Sequence, residues 1–116
     1  MRLLVCEDDF LILMNTAEML RDLGHEVEEA GDGATALATL AAGPVDMLLT
    51  DIGLPDMTGV ELARKARAAQ PGLPIVFASG LGEVEGFAGE TFVAFVQKPY
   101  TMPALEAAMA AATRPG

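Results

Sequence analysis

At 116 residues, 52% of them hydrophobic, the chain has the material for one domain with a real core, residues 1–116, which excludes a disordered tail. Its 7 basic residues against 17 acidic ones give a net charge of −10, so the basic footprint that direct nucleic-acid binding needs is missing. No apolar stretch reaches membrane-spanning length, the N-terminus lacks a signal peptide's cleavage region, and the single cysteine, Cys6, excludes an internal disulfide, so a reducing cytoplasm and no membrane insertion are expected.

Leu3-Leu4-Val5-Cys6 reads as a short buried strand. A helix follows from Asp9, with Leu13, Ala17 and Leu20 on one face, and stops at Leu23-Gly24. His25, just past that stop, reads as a solvated loop residue. Glu26–Ala30 is polar for a strand and suits a sheet edge. Asp32-Gly33 opens a second helix lined by Ala36, Leu37, Leu40 and Ala41, which Gly43-Pro44 break. Val45–Thr50 is the most apolar run and is predicted to be the central strand. A third helix spans Gly59–Ala69 with Val60, Leu62, Ala63 and Ala66 inward. Pro74–Ala78 and Phe92–Val96 are the fourth and fifth strands. Thr101 caps a last helix with Pro103 in its first turn and Leu105, Ala108, Met109 and Ala112 as its stripe. The segment from Gly80 to Gly89 holds four glycines, so a fourth helix there is expected to be short or disordered. Strands alternating with helices predict an α/β, doubly wound, five-stranded parallel sheet of flavodoxin-like order 2-1-3-4-5.

In such a sheet ligands bind beyond the carboxyl ends of the strands. Four strands here end in chemistry: Glu7-Asp8 after the first, Asp51 after the third, Ser79 after the fourth and Lys98 after the fifth. Taken singly, each has an ordinary reading. Asp8 and Asp9 can cap a helix, Asp51 can start a turn, Ser79-Gly80 is a common loop dipeptide, and Lys98 can be a solvated loop lysine. Taken together, they make a pocket of carboxylates, a hydroxyl and an ammonium. Carboxylates suit a hard divalent cation such as Mg2+, and a cation with a lysine suits phosphoryl transfer, one acid acting as nucleophile.

Leu4-Val5-Cys6-Glu7-Asp8-Asp9, Asp51-Ile52-Gly53-Leu54-Pro55-Asp56-Met57-Thr58-Gly59, Ala78-Ser79-Gly80 and Lys98-Pro99-Tyr100 together resemble a response-regulator receiver domain of two-component signalling, over essentially the whole chain. The resemblance implies that Asp51 accepts a phosphoryl group from a sensor histidine kinase or a phosphotransfer protein. It implies that Asp8, Asp51 and the Gly53 carbonyl ligate Mg2+, with Glu7 acting through water. The acidic pair reads alternatively as Asp8-Asp9, but Glu7-Asp8 keeps the family register. Lys98 would pair with a phosphoryl oxygen and Ser79 would hydrogen-bond another. Phe95 holds the aromatic switch position, and as a residue in a strand it reads equally as core. Small Gly53 stands where larger or polar residues often tune dephosphorylation.

Phe77-Ala78-Ser79-Gly80 and the short, glycine-rich stretch that follows are similar to the single-domain receivers known as FAT GUY, although Ser replaces Thr; receivers of hybrid kinases look alike here. The function expected is a phospho-acceptor switch that catalyses only its own Mg2+-dependent phosphorylation and dephosphorylation. Its output would be a surface for a downstream protein partner, built on the last helix, the fifth strand and the loop after Ser79, with Met102 and Leu105 as candidate contacts and core packing the stronger reading for at least one of them. The alternatives are a phosphate sink or relay and a phosphorylation-independent pseudo-receiver. A phosphohydrolase would need a second acid two residues past the nucleophile, where Gly53 stands.

Overall fold

The computed structural model describes residues 1–80 and 91–113. Along them run β1 (Arg2–Cys6), α1 (Phe10–Asp22), β2 (Glu26–Ala30), α2 (Gly33–Ala42), β3 (Met47–Asp51), α3 (Gly59–Ala69), β4 (Ile75–Ser79), β5 (Val93–Gln97) and α4 (Met102–Ala112). The five strands form one parallel sheet of order β2-β1-β3-β4-β5, as expected. The expectation of a short or disordered helix after Gly80 falls on 81–90, outside the described residues.

Helices cover the sheet on two faces because the inner strands are apolar on two faces. Leu4, Cys6, Leu48, Ile75 and Phe77 pack with Ala36 and Leu40 of α2 and Leu62, Ala63 and Ala66 of α3. The alternate residues Leu3, Val5, Met47, Leu49, Val76 and Ala78 pack with Leu13 and Leu20 of α1 and Leu105 and Met109 of α4. Each buried Leu, Val or Ile contributes roughly 1.5–3 kcal/mol, so these two layers dominate the fold's stability. At the β2 edge the exposed face is charged: Arg21 pairs with Glu29 at 2.9 Å and Arg2 with Glu28 at 3.5 Å. Such exposed pairs add little stability, but they blunt a strand edge against pairing with other chains.

The helix ends follow local chemistry. Asp9 caps α1 by accepting the Leu11 and Ile12 N–H groups at 3.0 and 3.2 Å, and Thr58 caps α3 through the Glu61 N–H at 3.1 Å. Thr101 does the same for α4 through Ala104 at 3.3 Å. Gly24, with φ of 94°, follows α1 in the left-handed region that ends helices.

Several sequence-level boundaries and faces move. Val45 lies before β3 because the Gln70 side chain, not a neighbouring strand, satisfies its backbone, with bonds of 3.1 and 2.6 Å. Phe92 precedes β5 because its φ of 57° breaks the extended run. Arg67 secures that turn by donating to the carbonyls of Leu73, Thr91 and Phe92 at 3.0, 2.8 and 3.0 Å. Ala41 is exposed, past the buried stripe of α2. Leu105 is 0% exposed and anchors α4, so it is no surface contact; Met102 is half-buried. His25 is half-buried, its Nδ1 3.2 Å from the Met1 amine.

Candidate functional site

The strand register decides which residues meet at the carboxyl rim. Cys6 lies level with Thr50, so Glu7 and Asp51 leave adjacent strands side by side. Asp51 pairs with Ala78 and Ser79 with Gln97, which brings Lys98 to the same rim. The Lys98 N–H donates to the Ser79 carbonyl at 2.9 Å, tying the end of β5 to the end of β4. The Lys98–Pro99 peptide is cis.

Glu7, Asp8 and Asp51 offer carboxylate oxygens that all lie within 4.8 Å of one another. Glu7 is only 5% exposed, whereas Asp8 is exposed. The Lys98 ammonium forms an ion pair with Glu7 Oε1 and stands 3.3 Å from Asp51 Oδ1. Glu7 Oε2 accepts the Asp9 N–H at 3.2 Å, and Asp51 Oδ1 accepts the Ile52 N–H at 2.8 Å. Asp9 spends its carboxylate on the start of α1, so the acids gathered here are Glu7 and Asp8.

Three carboxylates against one ammonium leave an excess of two negative charges, and the proton affinities reflect it. Burial raises the Glu7 pKa, and neighbouring Asp51 adds to the rise, although the Lys98 hydrogen bond opposes it. For Lys98, burial acts to lower the pKa, but Glu7 and Asp51 outweigh it and the net shift is upward. Both groups hold their protons more tightly, Glu7 chiefly because it is buried and Lys98 because Glu7 and Asp51 face it.

The backbone of Asp51 is held closely. The Thr50 hydroxyl, fully buried, donates to the Asp51 carbonyl at 2.9 Å. The Gly59 N–H donates to the Ile52 carbonyl at 2.6 Å, and a Cβ at Gly59 would stand 2.1 Å from the Asp51 carbonyl oxygen. Only glycine lets α3 begin this close to β3. Between them the loop is pinned by an antiparallel bridge from Gly53 to Thr58.

Ser79, half-buried, closes β4 at this rim. Phe95 is half-buried on β5 and stacks on its register partner Phe77, with centroids 5.8 Å apart and planes at 19°. It belongs to the α2 and α3 side of the core, so the strand reading of Phe95 describes its position here. Cys6 is buried beneath the rim, its thiol donating to the Asp32 carbonyl at 3.3 Å, and burial pushes its pKa up to about 12, which makes it inert.

Two features were not read from the sequence. Tyr100 and Thr16 share a 2.5 Å hydroxyl contact that ties the loop after Lys98 to α1, beside a groove of about 430 Å³ lined mainly by Ile12, Met19, Pro99 and Tyr100. Asp56 accepts the Gly33 and Ala34 N–H groups, at 2.9 Å each, across from its own loop. No local pattern announces a contact between a loop and a helix start 22 or 23 residues away.

Residues 3–110 match the response regulator receiver domain family. The chain is 39% identical over 83 residues to the response regulator receiver protein CpdR of Brucella abortus, covering 72% of this chain and 69% of that one. It is 33% identical to the chemotaxis protein CheY of Pseudomonas aeruginosa, covering 91% of this chain and 90% of that one. Among solved structures, the receiver domain of the hybrid histidine kinase CckA superposes with a TM-score of 0.84 at 32% identity, covering 98% of this chain and 100% of that one. The chain also matches two longer regulators, of which it spans 44% and 52%. The chain therefore belongs to the response regulator receiver domain family of two-component signalling. Among the described residues no helix is long and apolar enough to cross a membrane.

Proposed function

We propose that the chain is a phospho-acceptor switch in the cytoplasm, in which Asp51 receives a phosphoryl group from a sensor histidine kinase or a phosphotransfer protein. The observation that carries the reading is the meeting of Glu7, Asp8 and Asp51 within 4.8 Å, with Lys98 3.3 Å from Asp51. An Asp51 carboxylate oxygen attacks phosphorus, the P–N bond of the donor phosphohistidine, whose other ring nitrogen carries a proton, breaks, and its electron pair returns to the imidazole nitrogen. The product is an aspartyl phosphate and a neutral histidine.

An all-oxygen donor set with an excess of two negative charges fits a hard divalent cation. Asp8, Asp51 and the Gly53 carbonyl would hold Mg2+, with Glu7 reaching it through water. When bound, the ion neutralises charge on the phosphoryl oxygens. Lys98 then exchanges part of its contact with Glu7 for a phosphoryl oxygen, and the Ser79 hydroxyl takes another. Movement of Ser79 and rotation of Phe95 would carry the change to a surface on β5 and α4 that a downstream protein reads. The chain would catalyse only this transfer and the hydrolysis of its own acyl phosphate.

Incubation with Mg2+ and acetyl phosphate, read by intact mass, is expected to add one phosphoryl group to the wild-type chain and none to Asp51→Asn. Failure of the wild type to react, or equal labelling of the variant, would leave the pseudo-receiver as the better reading.

A further inference from the structure

Helix α2 starts under two carboxylates from different parts of the chain. An α-helix leaves its first N–H groups without intrahelical partners. Among the described residues the side chain of Asp32, the residue before α2, accepts the Thr35 N–H, at 2.7 Å. The Gly33 and Ala34 N–H groups go instead to Asp56, one to each carboxylate oxygen, at 2.9 Å. A doubly bonded carboxylate at a helix N-terminus also meets the positive end of the helix dipole. A second contact reinforces the first. Met57 lies against Gly33 so closely that a Cβ there would meet its sulfur at 2.5 Å, and Met57 also packs on the α2 and α3 core. The loop between β3 and α3 is thus fastened at Asp56 and Met57 to the start of α2, and at Gly59 to the carbonyl of Ile52.

That loop begins at the nucleophile and carries Gly53. We infer that Asp56 is a positioning residue for cation binding: by clasping the start of α2 it fixes the course of the β3–α3 loop, and with it the backbone of Gly53, whose carbonyl the Mg2+ reading assigns as a ligand. The inference rests on the Mg2+ reading above. Asp56 itself touches neither the cation nor the phosphoryl group. Backbone hydrogen bonds from Gly33 and Ala34 keep its carboxyl below the ordinary range, so it is ionised and a strong acceptor near neutral pH.

The test compares wild type with Asp56→Ala, Asp56→Asn and Asp32→Ala, each confirmed as folded by circular dichroism. Asp32→Ala weakens the same helix start without releasing the loop, so it separates positioning from general loss of stability. Two readouts apply: Mg2+ affinity by NMR titration, and hydrogen exchange of the Ile52 to Thr58 amides in metal-free protein. Asp56→Ala is expected to lose about tenfold in Mg2+ affinity, the low end for groups that support a metal ligand, and to exchange faster along the loop. Asp56→Asn, which keeps one acceptor oxygen, falls between Asp56→Ala and wild type. Asp32→Ala keeps wild-type affinity and loop protection. Wild-type affinity in Asp56→Ala, or an equal loss in Asp32→Ala, overturns the inference. Absence of Mg2+ binding by the wild type instead overturns the metal reading on which it rests.

Discussion

Glu7, Asp8 and Asp51 at the ends of β1 and β3, and Asp32 and Asp56 at the start of α2, are the same side-chain chemistry put to opposite uses. The first group faces itself, with one ammonium among three carboxylates, and Glu7 there holds its proton more tightly than usual. The second group faces backbone N–H groups, and Asp56 holds its proton less tightly than usual. One arrangement keeps charge uncompensated and therefore available to a cation, at a cost to the folded chain. The other consumes charge to fix the backbone and has none to offer. A count of acids cannot separate them, because the partner of each carboxylate decides its role.

If that contrast is right, the two groups respond to neutralisation in opposite ways. The largest effect is expected in Asp8→Ala, which should weaken Mg2+ binding on the order of 100-fold, at the upper end of what supporting groups achieve, since Asp8 is read as a direct ligand. NMR titration measures it, and wild-type affinity would erase the distinction between the groups. Next come paired stability measurements on metal-free protein. Asp32→Ala should lower stability by about 1 kcal/mol through loss of a helix cap. Glu7→Gln should raise it at neutral pH, because the fold disfavours the ionised Glu7. Denaturant melts that moved both variants in one direction would contradict the comparison.

The smallest effect is in acid. The Asp56 pKa lies below its ordinary value of 3.8, chiefly through the Gly33 and Ala34 hydrogen bonds, with nearby Lys65 adding to them. Its contribution to stability is therefore fully present above that value and fades as pH falls through the lowered pKa. Asp56→Asn lacks this titration, so its stability should decline less steeply than wild type below pH 3.8. Parallel acid profiles in thermal melts would remove Asp56 from the second group.

Much of this rim was legible before any coordinates. Short apolar runs marked every strand except β2, which read as a polar edge strand, and the order of a parallel sheet then placed Glu7, Asp8, Asp51, Ser79 and Lys98 at one edge. What escaped notice shares a physical cause. Asp56 on α2, Gln70 on Val45 and Arg67 on Phe92 are side chains that serve the backbone of a distant segment. Such bonds follow no helix or strand period, so no local pattern reports them. Leu105 teaches the converse: its place in the apolar stripe of α4 marked it as core, and of the two candidate contacts Met102 and Leu105 it is the one that packs inside.

The Lys98–Glu7 pair joins residues 91 positions apart, the one just after the first strand and the other just after the last. Contacts of such separation are costly in loop entropy and depend on everything between them being in place. A nascent or truncated chain that has not yet added β5 has the three carboxylates but lacks Lys98. The pocket's balance of charge therefore waits until the chain has passed β5 and reached Lys98.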